Sequence, residues 1–395
     1  MNQLRTMENK DLLAYERLCS ICYTYPAGHD APSELPEDKL RIRRGVFDES
    51  GHLLSAMMQI PYQLRFCNQT VNMVGIGGVV TDPTARAQGA IRSLFEADLP
   101  TLFREGHVFS ALYPFSYRFY GKFGYIWARF GRNMEIARDA IRSDLRRAEE
   151  IVRVLPGEDD QGMAAIYAQY VADKDFAVLR DGDMWAQKRK GTPWDDLKYA
   201  YVLRIAGEPV AYWIGSMQKG RNGAKLTLTD FAWTTQAGLE AIFAMIRGMN
   251  EVGTVRMQVR SGLELALLCN EAWDVDAKED CQGMVRVVNA EQALALLPAP
   301  LLPGRLTLAV TDGQIPENCA TFTVLGDGQT LTVTREAQAE ADIRCDIRGL
   351  SALVVGRHRF GDAVSLGLVE LLHSENERFA QLLFAERRLH LNWDF

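Results

Sequence analysis

Three short segments carry residue types and spacings that could do chemistry. Residues 79–92 read Val-Val-Thr-Asp-Pro-Thr-Ala-Arg-Ala-Gln-Gly-Ala-Ile-Arg, a strand pattern that ends at Asp82-Pro83 and a helical pattern that begins at Gly89. Such a junction can aim consecutive backbone N–H groups at an anion, with the positive end of the helix dipole behind them. Gly89 would let the backbone approach closely, and Arg86, three residues earlier, adds a fixed positive charge. A pyrophosphate fits that chemistry, while an ordinary strand-to-helix turn is the competing reading of so short a pattern. The second segment, Phe115-Ser116-Tyr117-Arg118-Phe119-Tyr120-Gly121-Lys122-Phe123-Gly124-Tyr125, is aromatic throughout. Phe123 and Tyr125 read as core, a reading that suits Tyr120 less well because it stands beside the turn-forming Gly121. The third segment is Leu391-Asn392-Trp393-Asp394-Phe395, whose aromatic residues suggest a packed chain end.

Around these segments one order of elements occurs twice. Arg43–Phe47, Leu53–Leu64 and Val71–Thr81 alternate as strands, Ile91–Phe103 has helical spacing, and Val108–Tyr113 reads as the next strand. Pro100 lies inside that helix and should kink it. About 155 residues on, Tyr199–Ile205, Val210–Met217 and Leu226–Trp233 are strands, Leu239–Met249 is a helix, and Thr254–Val259 is a strand. The polar stretch from Ala137 to Gln161 reads as the connection, and Gln161–Gly191 as helices opening the second copy. The second copy has Thr234-Thr235-Gln236-Ala237-Gly238 where the first has its Arg-containing loop. It has no R-x-x-G there and no basic residue until Arg247, so no equivalent loop is expected in the second copy. Beyond a Pro-rich linker at 297–304, short strands at Arg305–Val310, Cys319–Leu325, Thr330–Thr334 and Ile343–Ile347 lead into a third domain. Helices at Leu350–Val355, Asp362–Leu372 and Glu375–Leu383 and a last strand at Leu389–Asn392 complete it.

The 395 residues allow two to four domains, and 47% apolar with 24% charged residues is an ordinary globular composition. A net charge of −7 argues against nucleic acid as the main partner, because phosphate neutralisation needs a basic face. No apolar run has the length of a membrane span, and the first residues do not read as a signal peptide. The seven cysteines, at 19, 22, 67, 269, 281, 319 and 345, are scattered as in a reducing cytoplasm. Cys19 and Cys22 lack a second pair or a nearby histidine and read as helix-packing residues rather than zinc ligands. The six histidines show no metal spacing. His29, beside Asp30, falls in a Pro-rich segment from Tyr25 to Pro36 that would form a loop over a pocket. Asp230 is a candidate amine contact, a solvated carboxylate being the blander reading.

The strand, V-x-x-x-P-x-x-R-x-x-G and helix resemble the acetyl-CoA site of the GNAT N-acetyltransferases. With Tyr120-Gly121-Lys122-Phe123-Gly124-Tyr125 and the aromatic chain end, the whole chain resembles the enhanced-intracellular-survival (Eis) acetyltransferases. The resemblance implies an α+β architecture of two tandem GNAT units followed by a sterol-carrier-protein-like α/β domain. The expected boundaries are 1–136 for the acetyl-CoA-binding unit, 137–290 for a degenerate unit and 291–395 for the carrier-like domain. It implies main-chain contacts from Val79, Val80 and Thr81 to the pantetheine arm. Arg86, Ala87, Gln88, Gly89, Ala90, Ile91 and Arg92 would wrap the pyrophosphate, and Phe115 and Ser116 would touch the co-substrate again. Ile91 and the uncharged Ala87 and Gln88 depart from the usual small and basic residues of that loop, which weakens the expected hold on the pyrophosphate.

The same resemblance makes Tyr120 the general acid and the Phe395 carboxylate the general base of a direct attack by a primary amine, with no metal. The acceptor class it implies is an aminoglycoside, a lysine side chain or a polyamine-like compound. It also implies a cytoplasmic homo-oligomer, hexameric in that family. Two other readings accompany it: a tandem-GNAT enzyme that moves another acyl or an aminoacyl group, and a lipid-binding carrier that uses the last domain.

Overall fold

A computed structural model describes residues 2–26, 34–128, 131–221, 223–259, 263–279, 283–336 and 339–393. His29, Asp30, Cys281 and Phe395 lie outside the described residues. Two compact units result, one from residues 1–128, 282–387 and 393–395, the other from 129–281 and 388–392.

The first unit opens with β1 (Gln3–Thr6), α1 (Leu12–Tyr23), α2 (Glu37–Arg41), β2 (Arg43–Phe47), β3 (Leu53–Phe66) and β4 (Gln69–Thr81). It continues through α3 (Ala90–Arg104), β5 (Phe109–Leu112), α4 (Tyr117–Gly121) and β6 (Ile126–Trp127). The second unit holds β7 (Arg132–Ala137), β8 (Glu150–Arg153), α5 (Met163–Tyr170), β9 (Ala177–Val178) and α6 (Gly182–Lys188). After these come β10 (Lys198–Ile205), β11 (Glu208–Gln218), β12 (Ala224–Trp233), α7 (Gln236–Gly248), β13 (Val252–Val259) and β14 (Val275–Glu279). The chain then returns to the first unit with β15 (Met284–Val287), α8 (Ala290–Ala295), β16 (Gly304–Thr311), β17 (Ala320–Gly326), β18 (Leu331–Arg335) and β19 (Ile343–Asp346). The last elements are α9 (Ile347–Val355), α10 (Phe360–Ser365), β20 (Val369–Leu371) and α11 (Glu377–Leu383).

Within the first unit, β1-β2-β3-β4-β5-β15-β6 lie side by side, and β18-β17-β16-β19-β20 form a separate sheet. The second unit is built on the order β14-β7-β13-β12-β11-β10-β8. Both copies of the repeat show the same logic: an antiparallel meander, a helix, then a strand parallel to the last of the meander (β4 with β5, β12 with β13). Ala90, Leu94, Phe95, Leu99 and Leu102 of α3, spaced at three and four residues, are buried in a core with Val46, Met57, Val74 and Ile76. Asp98 on that apolar face is also buried, and it accepts from Arg44 Nη2 at 3.0 Å and Gln59 Nε2 at 2.7 Å, which ties the helix to β2 and β3.

Several elements differ from the sequence expectations. The stretch expected as a connection contains β8, which pairs with β10, and β7 pairs with β13. Both are short and heavily charged, so they carry little apolar alternation. The boundaries expected at 136/137 and 290/291 cut β7 and separate β15 from the sheet it joins. The helix expected over Asp362–Leu372 stops at Ser365, because Gly367 takes a left-handed φ of 69° and its N–H closes onto the Val364 carbonyl. Val369–Leu371 then runs as a strand beside β19. The expected strand at Leu389–Asn392 is reduced to one bridge between Asp175 and Leu389. The helix through Pro100 continues to Arg104.

Candidate active site

Strands β4 and β5 pair only from Met73–Ile76 against Phe109–Leu112. Beyond that point they diverge, and a cavity of about 610 Å³ opens between them and the start of α3, a volume typical of small-molecule sites. Its wall contains Val79, Thr81, Arg86, Ala87, Gly89, Ala90, Ile91, Phe115 and Tyr120 of the residues singled out by sequence. Val80 faces away, buried with Met7, Tyr15 and Leu18 in the core under α1, and its carbonyl accepts from Ser55 Oγ at 2.8 Å. Gln88, Arg92 and Ser116 also stay out of the wall. The Ser116 hydroxyl accepts from the Phe119 N–H at 3.2 Å and so caps the short helix that carries Tyr120.

The loop is built to expose amides. Asp82 anchors its start by accepting from the Thr84 N–H at 2.8 Å and the Thr84 hydroxyl at 2.5 Å, and these bonds hold its carboxyl below the usual range. Ala87 and Gly89 adopt left-handed φ values of 63° and 87°, turning successive N–H groups to one side. A Cβ at Gly89 would meet nothing within 4 Å, so the glycine serves the conformation and not a tight fit. No amide from Arg86 to Arg92 donates to an acceptor among the described residues, and the N-cap of α3 has no side-chain partner. Arg86 and Arg92 are exposed, with no ion pair to a described acid. Free amides, a helix N-terminus and uncommitted guanidinium groups form a cradle for a polyanion.

Tyr120 is 1% exposed and ringed edge-on by Phe95, Phe115, Phe119 and Tyr125 at centroid distances of 5.8, 5.2, 5.2 and 6.3 Å. Its hydroxyl has no hydrogen-bond partner among the described residues, and burial raises its pKa far above that of a free phenol. The phenol therefore stays protonated in an apolar wall. The wall also includes Cys22, Tyr23, Tyr113 and Phe119, which sequence reasoning did not select. The Tyr23 hydroxyl donates to the Val79 carbonyl at 3.3 Å and the Cys22 thiol to the Thr81 carbonyl at 3.5 Å. Cys22 is thus a wall residue, whereas Cys19 is buried in the core and its thiol is pushed up to about 11 by burial. Cys22 and Tyr23 are the last two residues of α1, and that place at a helix end was the available signal. Tyr113 donates to the Trp393 carbonyl at 2.9 Å, and Trp393 is buried with its ring 6.5 Å from that of Tyr62. The last described residue therefore lies beside a residue of the cavity wall.

Asp230, a candidate amine contact by sequence, is instead 1% exposed and holds Arg180 at 2.5 Å, with Tyr212 and Asn392 donating to it at 3.0 and 2.8 Å. It is committed to the core of the second unit. At the repeat's second strand-to-helix junction β12 runs almost directly into α7, and Thr235 caps the helix by accepting from the Gly238 N–H at 3.1 Å. Among the described residues no group of acidic, histidine or cysteine side chains could hold a metal ion.

Residues 3–128 match the model of the GNAT acetyltransferase domain, and residues 290–392 match that of the sterol carrier protein domain. The chain therefore carries a GNAT acetyltransferase domain at its start and a sterol-carrier-type domain at its end. Its fold is shared end to end with Eis1 from Mycobacterium abscessus, at 18% identity, a TM-score of 0.81 and 100% of each chain covered. It is likewise similar to a GCN5-related N-acetyltransferase from Anabaena variabilis (19% identity, TM-score 0.88) and a probable N-acyltransferase from Enterococcus faecalis (21%, 0.84), again over 100% of each chain. No curated protein matches the sequence.

Proposed function

We propose that the protein transfers acetyl from acetyl-CoA to a primary amine of a cationic acceptor: an aminoglycoside, a lysine side chain or a polyamine-like compound. The observation that carries this reading is the convergence, in one cavity, of Arg86, Ala87, Gly89, Ala90 and Ile91, whose amides are free, the unpaired edge of β4 and Tyr120. The amides of the loop and Arg86 would hold the pyrophosphate. The β4 edge at Val79 and Thr81 would take the pantetheine amides, displacing or sharing the bonds now made by Tyr23 and Cys22. A backbone N–H of the same edge would stabilise the oxyanion formed when the amine adds to the thioester carbonyl. As the C–S bond breaks, Tyr120 gives its proton to the departing thiolate. Burial that raises the phenol also raises a thiolate beside it, which keeps the two matched.

The amine must lose a proton before attack, since it is mostly protonated near neutral pH. We assign that step to the Phe395 carboxylate. Phe395 is outside the described residues, and the placement of Trp393 next to Tyr113 supports the assignment. The second unit, with its capped α7, takes no CoA in this reading, and the enzyme is a cytoplasmic homo-oligomer.

A turnover screen tests the function. Acetyl-CoA and longer acyl-CoAs are offered with a panel of mono- and polyamines, and free thiol is read. Amine-dependent thiol release with acetyl-CoA is expected, and appending residues after Phe395 should suppress it. Unchanged turnover in the extended protein would remove Phe395 as the base. Release that favours a long acyl group would change the donor.

A further inference from the structure

The segment Tyr120–Tyr125 does more than deliver a phenol. Its turn closes on the Tyr120 carbonyl, which accepts from the Phe123 N–H at 2.9 Å and the Tyr125 N–H at 3.3 Å. The Phe123 carbonyl, on the outer side of the turn, accepts from Arg286 Nη1. Arg286 comes from β15, where it sits opposite Ser110 in the ladder, and Ser110 Oγ is 2.7 Å from the Tyr125 hydroxyl. The arginine side chain is 0% exposed, and its charge is met by Asp312, also 0% exposed, at 2.5 Å. Asp312 belongs to the sterol-carrier-type domain. It is itself fixed by Asn318 Nδ2 at 2.9 Å and by the N–H groups of Gln314 and Ile315 at 2.9 and 3.2 Å. Gly124 explains why the motif needs a glycine there. Its φ is 85°, and a Cβ would lie 2.1 Å from Arg286 Nη1 and 2.6 Å from Ile347 Cγ2 at the start of α9.

We infer that Arg286 is a positioning residue for Tyr120, and that the sterol-carrier-type domain, through Asp312, is what holds that arginine in place. The coupling is electrostatic as well as geometric. A guanidinium removed from water needs both a counter-charge and acceptors, and here the turn gives an acceptor in the Phe123 carbonyl and Asp312 gives the counter-charge. Phe123 and Tyr125 bracket Tyr120 on the same ring cluster, with Phe123 stacked at 4.5 Å on Phe95, the ring that meets Tyr120 edge-on. A shift of the Phe123 carbonyl therefore moves the wall in which the Tyr120 hydroxyl is aimed. The carrier-type domain acts here as a brace on the acetyltransferase site.

This inference rests on Tyr120 being the general acid, and a double-mutant cycle separates the two claims. Tyr120→Phe, Arg286→Lys and the double variant are assayed in the full-length protein at a temperature where each is folded, with acetyl-CoA affinity measured independently. Arg286→Lys keeps the charge but not the fork that reaches Phe123 and Asp312 together. It should lower kcat about tenfold or more, leave the acetyl-CoA Kd within about twofold, and cause no further loss in the Tyr120→Phe background. If Arg286→Lys does not fold, Asp312→Asn, which keeps the side-chain shape but removes the charge and one acceptor oxygen, takes its place in the same cycle. Additive losses, or an unchanged kcat in the single variant, would overturn the positioning role. An unchanged kcat in Tyr120→Phe alone would instead overturn the general-acid reading.

Discussion

Replacing Tyr120 by Phe removes one oxygen from a ring that is 1% exposed and keeps its edge contacts with Phe95, Phe115, Phe119 and Tyr125. Because the hydroxyl has no partner among the described residues, no buried acceptor is known to be orphaned, and folding stability should change by less than about 0.5 kcal/mol. The thiolate then has to leave without a proton donor. General acids contribute typically 10²–10⁴-fold, so kcat should fall at least about 100-fold, or about 2.7 kcal/mol of transition-state stabilisation. The Kd for acetyl-CoA should be unchanged, since the Arg86–Arg92 loop is untouched. Burial keeps the phenol protonated well beyond its ordinary range, so the ratio of wild-type to variant kcat should stay constant from about pH 6 to about pH 9. Stopped-flow or steady-state thiol release at saturating substrates reads this directly. A variant within about threefold of wild type, with unchanged affinity, would refute the assignment of the acid.

Other consequences are more local. Arg86→Ala should weaken acetyl-CoA binding about three- to tenfold by titration while leaving kcat nearly constant, and the difference should shrink as salt is raised, because this guanidinium is exposed. Asp98→Ala leaves Arg44 and Gln59 without their shared buried acceptor and should cost about 3 kcal/mol, read as a lowered thermal midpoint. His390 is depressed to about 3, first by burial and then by Arg180, Lys174 and Lys188, with Asp230 acting in the opposite sense. Between about pH 6.5 and that value the unfolded chain takes up a proton that the folded one refuses, so stability falls as pH drops. The thermal midpoint of the wild type should accordingly decline more between about pH 7 and about pH 4.5 than that of His390→Gln.

The repeated meander, helix and parallel strand were legible because their signal is apolar periodicity over ten or more residues, as in β4 and α3. The strand-to-helix loop was legible because Asp82, Arg86 and Gly89 have conformational or electrostatic jobs that few other residues perform. What escaped was decided by partners distant in sequence. Residues 284–287 look like any short apolar strand, and only the fold places them between β5 and β6 with Arg286 beneath the Tyr120 turn. Asp230 looked like a surface acid because Arg180, 50 residues away, cannot be paired with it by inspection of the chain. Cys22 and Tyr23 enter the cavity wall only because α1 ends where β4 loses its neighbour.

The central claim is that one cavity, in the first unit, takes acyl-CoA through the Arg86–Arg92 amides, and that the capped junction of the second unit does not. Isothermal titration of the full-length protein with acetyl-CoA tests it most directly. One molecule should bind per chain, with affinity reduced in Arg86→Ala and preserved in Tyr120→Phe. No binding, two molecules per chain, or binding indifferent to Arg86 would contradict it.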